Sequence, residues 1–196
     1  FDRNYQDRYS DPGNFVTTKN RFNENVLEIH NGKAFLMGDG FSEKGQFPFI
    51  DEFDLNNQKT KRIYQSPYTD KLENLYSAID LKKGLVLVRI ESQQEFPNYY
   101  IRNIKKKENL RPVTFFENPF KMLSDVHKEV ITYKREDGLE LDGTLYLPIG
   151  YDKDKKEKMP MLLWAYPREF KDKASAGQST TNPNRFIYPF WGSPVY

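Results

Sequence analysis

Between residues 15 and 116 the apolar residues alternate with polar ones in short runs, and no stretch holds a period of 3.6. A period of 2 is what a strand needs when one face is buried and the other is wet. The runs predict strands at 15–19, 26–30, 33–38, 49–55 and 61–65, then at 75–80, 84–91, 99–105 and 112–116. Val, Ile, Leu, Tyr and Phe fill them. Between them stand Asn31-Gly32, Asn56-Asn57, Lys82-Lys83-Gly84 and the polar run 105–109, which are hairpin signals.

A faint repeat runs through this region. Gln46-Phe47-Pro48 opens a strand, a polar turn and a second strand near Ile63, and Glu95-Phe96-Pro97 opens the same arrangement 49 positions later. Four short antiparallel strands in each period of about 40–50 residues make a β-propeller blade. An antiparallel sandwich would give the same strands, so the pattern leaves both architectures open. Only about two blades fit in residues 15–116, whereas a closed propeller needs roughly four to eight.

Composition narrows the function. Aromatic residues make up 15% of the 196 residues, too many for a disordered chain. Lys plus Arg number 30 against 28 Asp plus Glu, a net charge of +2, so nothing suggests a nucleic-acid partner. No apolar run reaches the ~18 residues of a membrane span. The absence of Cys excludes disulfides, thiolate metal sites and a Cys nucleophile. A chain that opens Phe-Asp-Arg, without an initiator Met or a signal peptide, is expected to be processed or a fragment.

The pattern changes after residue 116. Residues 117–120 read as a turn and 120–126 as one short helical turn, a plausible domain boundary. Strands at 128–134 and 140–147 flank Glu136-Asp137-Gly138 and form a hairpin. A solvated charge run at 152–158 follows. The continuous apolar run 159–166 then suits a strand buried on both faces, as in an α/β sheet.

These later residues also carry a resemblance. Asp-Gly-x-Glu-Leu-x-Gly-Thr-Leu-Tyr-Leu-Pro-x-Gly-Tyr-Asp at 137–152 resembles the first hairpin of the catalytic domain in the prolyl oligopeptidase family of serine peptidases. Leu-Leu-Trp-Ala-Tyr-Pro-Arg-Glu-Phe-Lys at 162–171, Ala176-Gly177-Gln178 and Pro183-Asn184-Arg185-Phe186 are similar to its glutamyl-endopeptidase-like branch, as is Arg-Asn-Tyr-Gln-Asp-Arg-Tyr-Ser-Asp-Pro-Gly at 3–13. The resemblance implies a mainly β fragment, with the last blades of a β-propeller at 1–120 and the start of an α/β-hydrolase domain at 121–196. It implies a peptide substrate, no cofactor and no metal. The chain's other partners would be the remainder of its own propeller and hydrolase domains. Family habit points to a periplasmic or exported protein.

Acyl transfer by such an enzyme needs a Ser nucleophile in a G-x-S-x-G elbow, followed along the chain by Asp and His. The elbow is absent, since Gly40-Phe41-Ser42-Glu43-Lys44 lacks the last Gly. By resemblance the Ser, Asp and His are expected beyond residue 196. The two histidines, His30 and His127, have no elbow and no metal-ligand spacing, so both read as surface or hinge imidazoles. The resemblance gives Tyr166 a chemical role, with its phenol donating into the oxyanion hole. Without it, Tyr166 reads as a strand-end packing residue. Arg168 either meets the carboxylate of an acidic substrate or closes a loop salt bridge. Lys105-Lys106-Lys107 and Asp11-Pro12-Gly13 read as turns. The alternative to a peptidase is a non-catalytic β-rich binding module, and an elbow downstream in the parent gene would separate the two.

Overall fold

A computed structural model describes residues 4–106, 110–165 and 169–189. The described chain is mainly β. Its strands are β1 (Asn14–Phe15), β2 (Thr17–Lys19), β3 (Asn25–Leu27), β4 (Lys33–Gly38), β5 (Phe41–Ser42), β6 (Gly45–Gln46) and β7 (Phe49–Asp54). There follow β8 (Thr60–Gln65), β9 (Leu72–Asp80), β10 (Leu85–Glu91), β11 (Asn98–Asn103), β12 (Leu110–Pro112), β13 (His127–Lys134) and β14 (Glu140–Leu147). One short helix, α1, spans Lys173–Ala176.

Two four-stranded sheets lead the chain, ordered β1-β4-β7-β8 and β12-β11-β10-β9. Every neighbouring pair is antiparallel, so each sheet is a meander. Small two-stranded ribbons, β2-β3 and β5-β6, interrupt the first meander. The two Phe-Pro repeats occupy equivalent places: Pro48 precedes the third strand of the first sheet and Pro97 that of the second.

The core lies between the sheets. Phe35 and Ile50 from the first sheet, with Val16 beside them, pack against Val86, Val88 and Ile90 from β10. Along β10 those three alternate with Leu87 and Arg89, which are less buried, as a period of 2 requires. The interface also holds charge. Glu73 on β9 pairs with Arg102 on β11, and Tyr64 of the first sheet donates its hydroxyl to Glu73 at 2.6 Å. Burial and the Glu73 carboxylate push the Tyr64 phenol well above its ordinary pKa. A buried carboxylate is tolerable here because its oxygens are hydrogen-bonded.

Turn chemistry fixes the corners. Asn31 and Gly32 both take positive φ, 51° and 73°, and His30 and Lys33 exchange two backbone hydrogen bonds across them. That is the two-residue turn the Asn-Gly pair predicts. Beyond the sheets, β13 and β14 pair over eight residues, from His127↔Leu147 to Lys134↔Glu140, in agreement with the predicted hairpin. The predicted helical turn appears as a 3-10 turn at Lys121–Leu123.

Two expectations fail: the strand expected at 112–116 already ends at Pro112, where β12 stops, and the strand expected from residue 159 does not form. Residues 159–165 form no strand, and Met161, Leu162, Leu163 and Trp164 are 69–77% exposed. A strand buried on both faces needs paired edges and two covering layers. Among the described residues nothing pairs with this run or covers it. The β5-β6 ribbon was also not predicted, because two-residue strands leave too short a pattern to read.

Among the described residues no helix is long and apolar enough to cross a membrane. Nor does any group of three His, Cys, Asp or Glu gather as a metal would require.

Candidate functional site: a strap on the loop after Tyr166

Tyr166 and Arg168 lie outside the described residues. The loop that follows them is described, and an N-terminal strap of residues 4–9 lies along it. Local turns shape the strap. Asp7 N–H donates to Asn4 O at 2.9 Å, and Gln6 N–H donates to Asn4 Oδ1 at 3.0 Å. At its far end Asp11 Oδ1 accepts Gly13 N–H at 2.9 Å, where Gly13 has a φ of 81°. Asp11-Pro12-Gly13 is therefore the turn that was predicted. The chain then enters β1.

The loop has its own scaffold. Asp172 caps α1, accepting Ser175 N–H at 2.7 Å and Ser175 Oγ–H at 3.0 Å. Three groups of contacts fasten strap to loop. Asn4 Nδ2 donates to Asp172 Oδ2 at 2.6 Å and to Ser175 Oγ at 2.9 Å. The Gln6 amide donates to Glu169 O at 2.5 Å and accepts Lys171 N–H at 2.8 Å. Gln178 Oε1 accepts the N–H groups of Arg8 and Tyr9 at 2.7 and 3.1 Å, while its Nε2 donates to Asp7 at 2.7 Å. Tyr9 adds its hydroxyl oxygen as acceptor for Ser179 N–H at 3.0 Å. These donated bonds hold the Asp7 and Asp172 carboxyls below the usual carboxylate value, with Gln178 the largest cause at Asp7 and Ser175 N–H at Asp172.

A groove of about 570 Å³ opens between strap and loop, with Tyr5, Phe41 and Phe170 among its apolar walls and Arg8, Asp39 and Glu169 among its charged ones. Arg8 donates to Asp39 at 2.6 Å and lies 3.6 Å from Asp11, so two carboxylates already face its guanidinium.

His30, His127 and Ser42 each have a local hydrogen-bond partner. His30 pairs with Glu28 at 2.8 Å and lies 5.9 Å from the Phe35 ring. His127 pairs with Glu129 at 3.1 Å and is exposed at the start of β13. Among the described residues neither imidazole has a Ser partner. Ser42 sits at the β5-β6 turn and donates its hydroxyl to Gly45 O at 2.9 Å.

Sequence reasoning gave no role to Gln6, Asp7 or Gln178. The segments that hold them, 3–13 and 176–178, did stand out as motifs.

No protein-family model matches the chain. The solved structure of an isopeptidase variant covers 62% of this chain at 16% identity, with a TM-score of 0.36. Two curated proteins are much nearer in sequence. The chain is 35% identical over 199 aligned residues to the "Probable glutamyl endopeptidase, chloroplastic" of Oryza sativa subsp. japonica, and 35% identical over 200 to the protein of the same name in Arabidopsis thaliana. Each match takes in 95% of this chain and 21% of the relative, so over nearly its whole length the chain is similar to about a fifth of a peptidase.

Proposed function

We propose that the chain is part of a serine peptidase that cleaves peptides after Glu. The observation that carries this reading is the 35% identity to proteins named glutamyl endopeptidase, sustained over 95% of the chain. Two antiparallel meanders packed on one core suit the last blades of a β-propeller at residues 1–120. The β13-β14 hairpin suits the opening of an α/β-hydrolase domain at 121–196. In this reading a Ser-His-Asp triad beyond residue 196 performs acyl transfer, and Tyr166 donates to the oxyanion.

Arg168 is the cation proposed for the substrate's Glu carboxylate, which a guanidinium can hold through two hydrogen bonds. Arg8, the cation lining the groove, supports this choice because it is already engaged by Asp39 and Asp11.

The test uses the full-length protein, a fluorophosphonate, and two peptides that differ only in one internal Glu or Gln. Stoichiometric labelling and cleavage after Glu are the expected results. A folded protein that takes no label and cuts neither peptide is a β-rich binding module, and the peptidase reading is then wrong. Cleavage of both peptides at equal rates removes the role given to Arg168.

A further inference from the structure

We propose that four lysines on two adjoining turns of the second sheet form a docking surface for acidic peptide segments. That these segments are Glu-bearing stretches of a substrate rests on the peptidase reading above. Lys82 and Lys83 stand on the turn between β9 and β10, and Lys105 and Lys106 on the described part of the turn after β11. All four side chains are exposed. The fold brings the two turns together. Ile104 N–H donates to Gly84 O at 2.8 Å, and the Lys105 ammonium donates to Lys82 O. Gly84 has a φ of 76°, and a Cβ there would lie 2.8 Å from Lys105 Cγ, so the Lys105 stem crosses directly over the glycine.

Four ammonium groups on adjoining turns repel one another. One acid answers them: Asp80 lies 3.2 Å from Lys83 Nζ and accepts Lys83 N–H at 3.0 Å. Lys105 has the Lys82 carbonyl. The ammoniums of Lys82 and Lys106 have no hydrogen bond or ion pair among the described residues. The fold does not use these two charges, so a partner can.

This end of the sheet is also open. The opposite end is covered, where Asn182 donates to Gln46 Oε1 at 3.0 Å, Asn184 to Thr69 O at 3.0 Å and Gln93 to Pro183 O at 2.8 Å. At the lysine end, among the described residues, the hydrogen bonds and ion pairs of residues 81–84 and 104–106 stay within residues 80–106.

The surroundings select the partner. A membrane contact couples basic residues to apolar groups that enter the headgroup layer, and single-stranded nucleic acid takes aromatic rings that stack on its bases. The two turns offer neither: Leu81 is 4% exposed and Ile104 packs on the core. Carboxylates along a flexible peptide need only point charges, which ammoniums supply. Exposed charges are screened by salt, so the surface speeds encounter with acidic segments rather than holding them tightly.

The experiment uses the full-length protein and a fluorescent poly-D-aspartate peptide, which carries the charge and resists cleavage. Lys82→Glu/Lys106→Glu reverses the two charges that the fold does not use. Lys44→Glu/Lys158→Glu, at exposed positions elsewhere, makes the same change in net charge. Fluorescence anisotropy should show binding at low salt that falls as salt rises and is at least about tenfold weaker in the first variant only. In parallel, kcat/KM is measured for two peptides with the same Glu cleavage site, one of them extended by a run of Asp. The first variant should lose about tenfold on the extended peptide through KM, with kcat within about twofold and the plain peptide unaffected. No binding, or equal weakening in both variants, overturns the proposal. Equal loss on both peptides overturns it too, because the lysines then act on the site rather than on the acidic run. Binding of anionic vesicles or of single-stranded DNA in place of the peptide overturns it as well. A protein that binds poly-D-aspartate at the lysines yet cleaves neither peptide refutes the peptidase reading and leaves the acidic-peptide surface standing.

Discussion

The side-chain carboxylate of Glu91 accepts the backbone N–H of Phe186 at 3.0 Å, joining β10 to a segment 95 positions further along the chain. Glu91 is fully buried, and its other oxygen accepts from Arg89 at 2.6 Å and Asn74 at 3.2 Å. Around this carboxylate the later segment packs onto the second sheet. Phe186 meets Phe96 of the second Phe-Pro repeat edge-on at 5.2 Å, and Lys128 donates to Arg185 O at 2.5 Å. Burial lowers the Lys128 pKa, as expected where a carbonyl is its hydrogen-bond partner.

Glu91→Gln keeps the shape but leaves Arg89 without its counter-charge. Breaking a fully buried ion pair costs about 3–5 kcal/mol; Arg89 is a third exposed, so about 2–3 kcal/mol is expected here. Native-state hydrogen exchange of the Phe186, Val86 and Val88 amides reads the loss directly. Opening energies within about 0.5 kcal/mol of the original would show that Glu91 is not what holds the segment down.

Two glycines separate backbone strain from steric clash. Gly138 has a φ of 80° with open space around its missing Cβ. Gly138→Ala should cost only the left-handed penalty, about 1–2 kcal/mol. Gly40 has a φ of 65°, and a Cβ there would lie 1.9 Å from Phe47 O. Backbone cannot move aside as a side chain can, so Gly40→Ala should cost well over twice as much. Paired melting curves check this ratio, and equal losses would refute it.

Much of the β-structure was legible because its causes are local. Alternation located β4, β7, β8 and β10 to within about a residue, and Asn31-Gly32 and Asp137-Gly138 marked turns that do form. The site was not legible in the same way. Gln6 and Lys171 are 165 positions apart, and a side-chain amide bonded to backbone has no periodicity. The buried charges escaped for a related reason. Glu91 and Arg89 occupy alternate positions facing away from Val88 and Ile90, which reads as a wet face until residues 182–188 cover it. The run 159–165 shows the converse, an apolar pattern without paired neighbours among the described residues.

Asp7 should titrate low, and Gln178 should be the reason. The Asp7 carboxyl is held below its usual 3.8, chiefly by the Gln178 amide. A carboxyl depressed in the folded state adds stability above the unfolded value, and that stability is lost as the pH falls through the depressed value. The strap should therefore loosen only below about pH 4. Carbon-detected NMR of the Asp7 carboxyl should give a midpoint below 3.8, and Gln178→Leu should move it back up. A midpoint unmoved by that substitution would remove Gln178 as the cause.

The last prediction concerns Tyr166, whose role rests on the resemblance. The oxyanion exists only along the reaction path, so a phenol that bonds it should stabilise the transition state and leave substrate binding nearly untouched. Tyr166→Phe keeps the ring and removes the donor. On the proposed peptidase reading, in the full-length protein it should lower kcat on the order of 10²–10³-fold, or about tenfold if backbone N–H groups carry most of the charge. KM should change little, and the melting temperature should hold because the packing is retained.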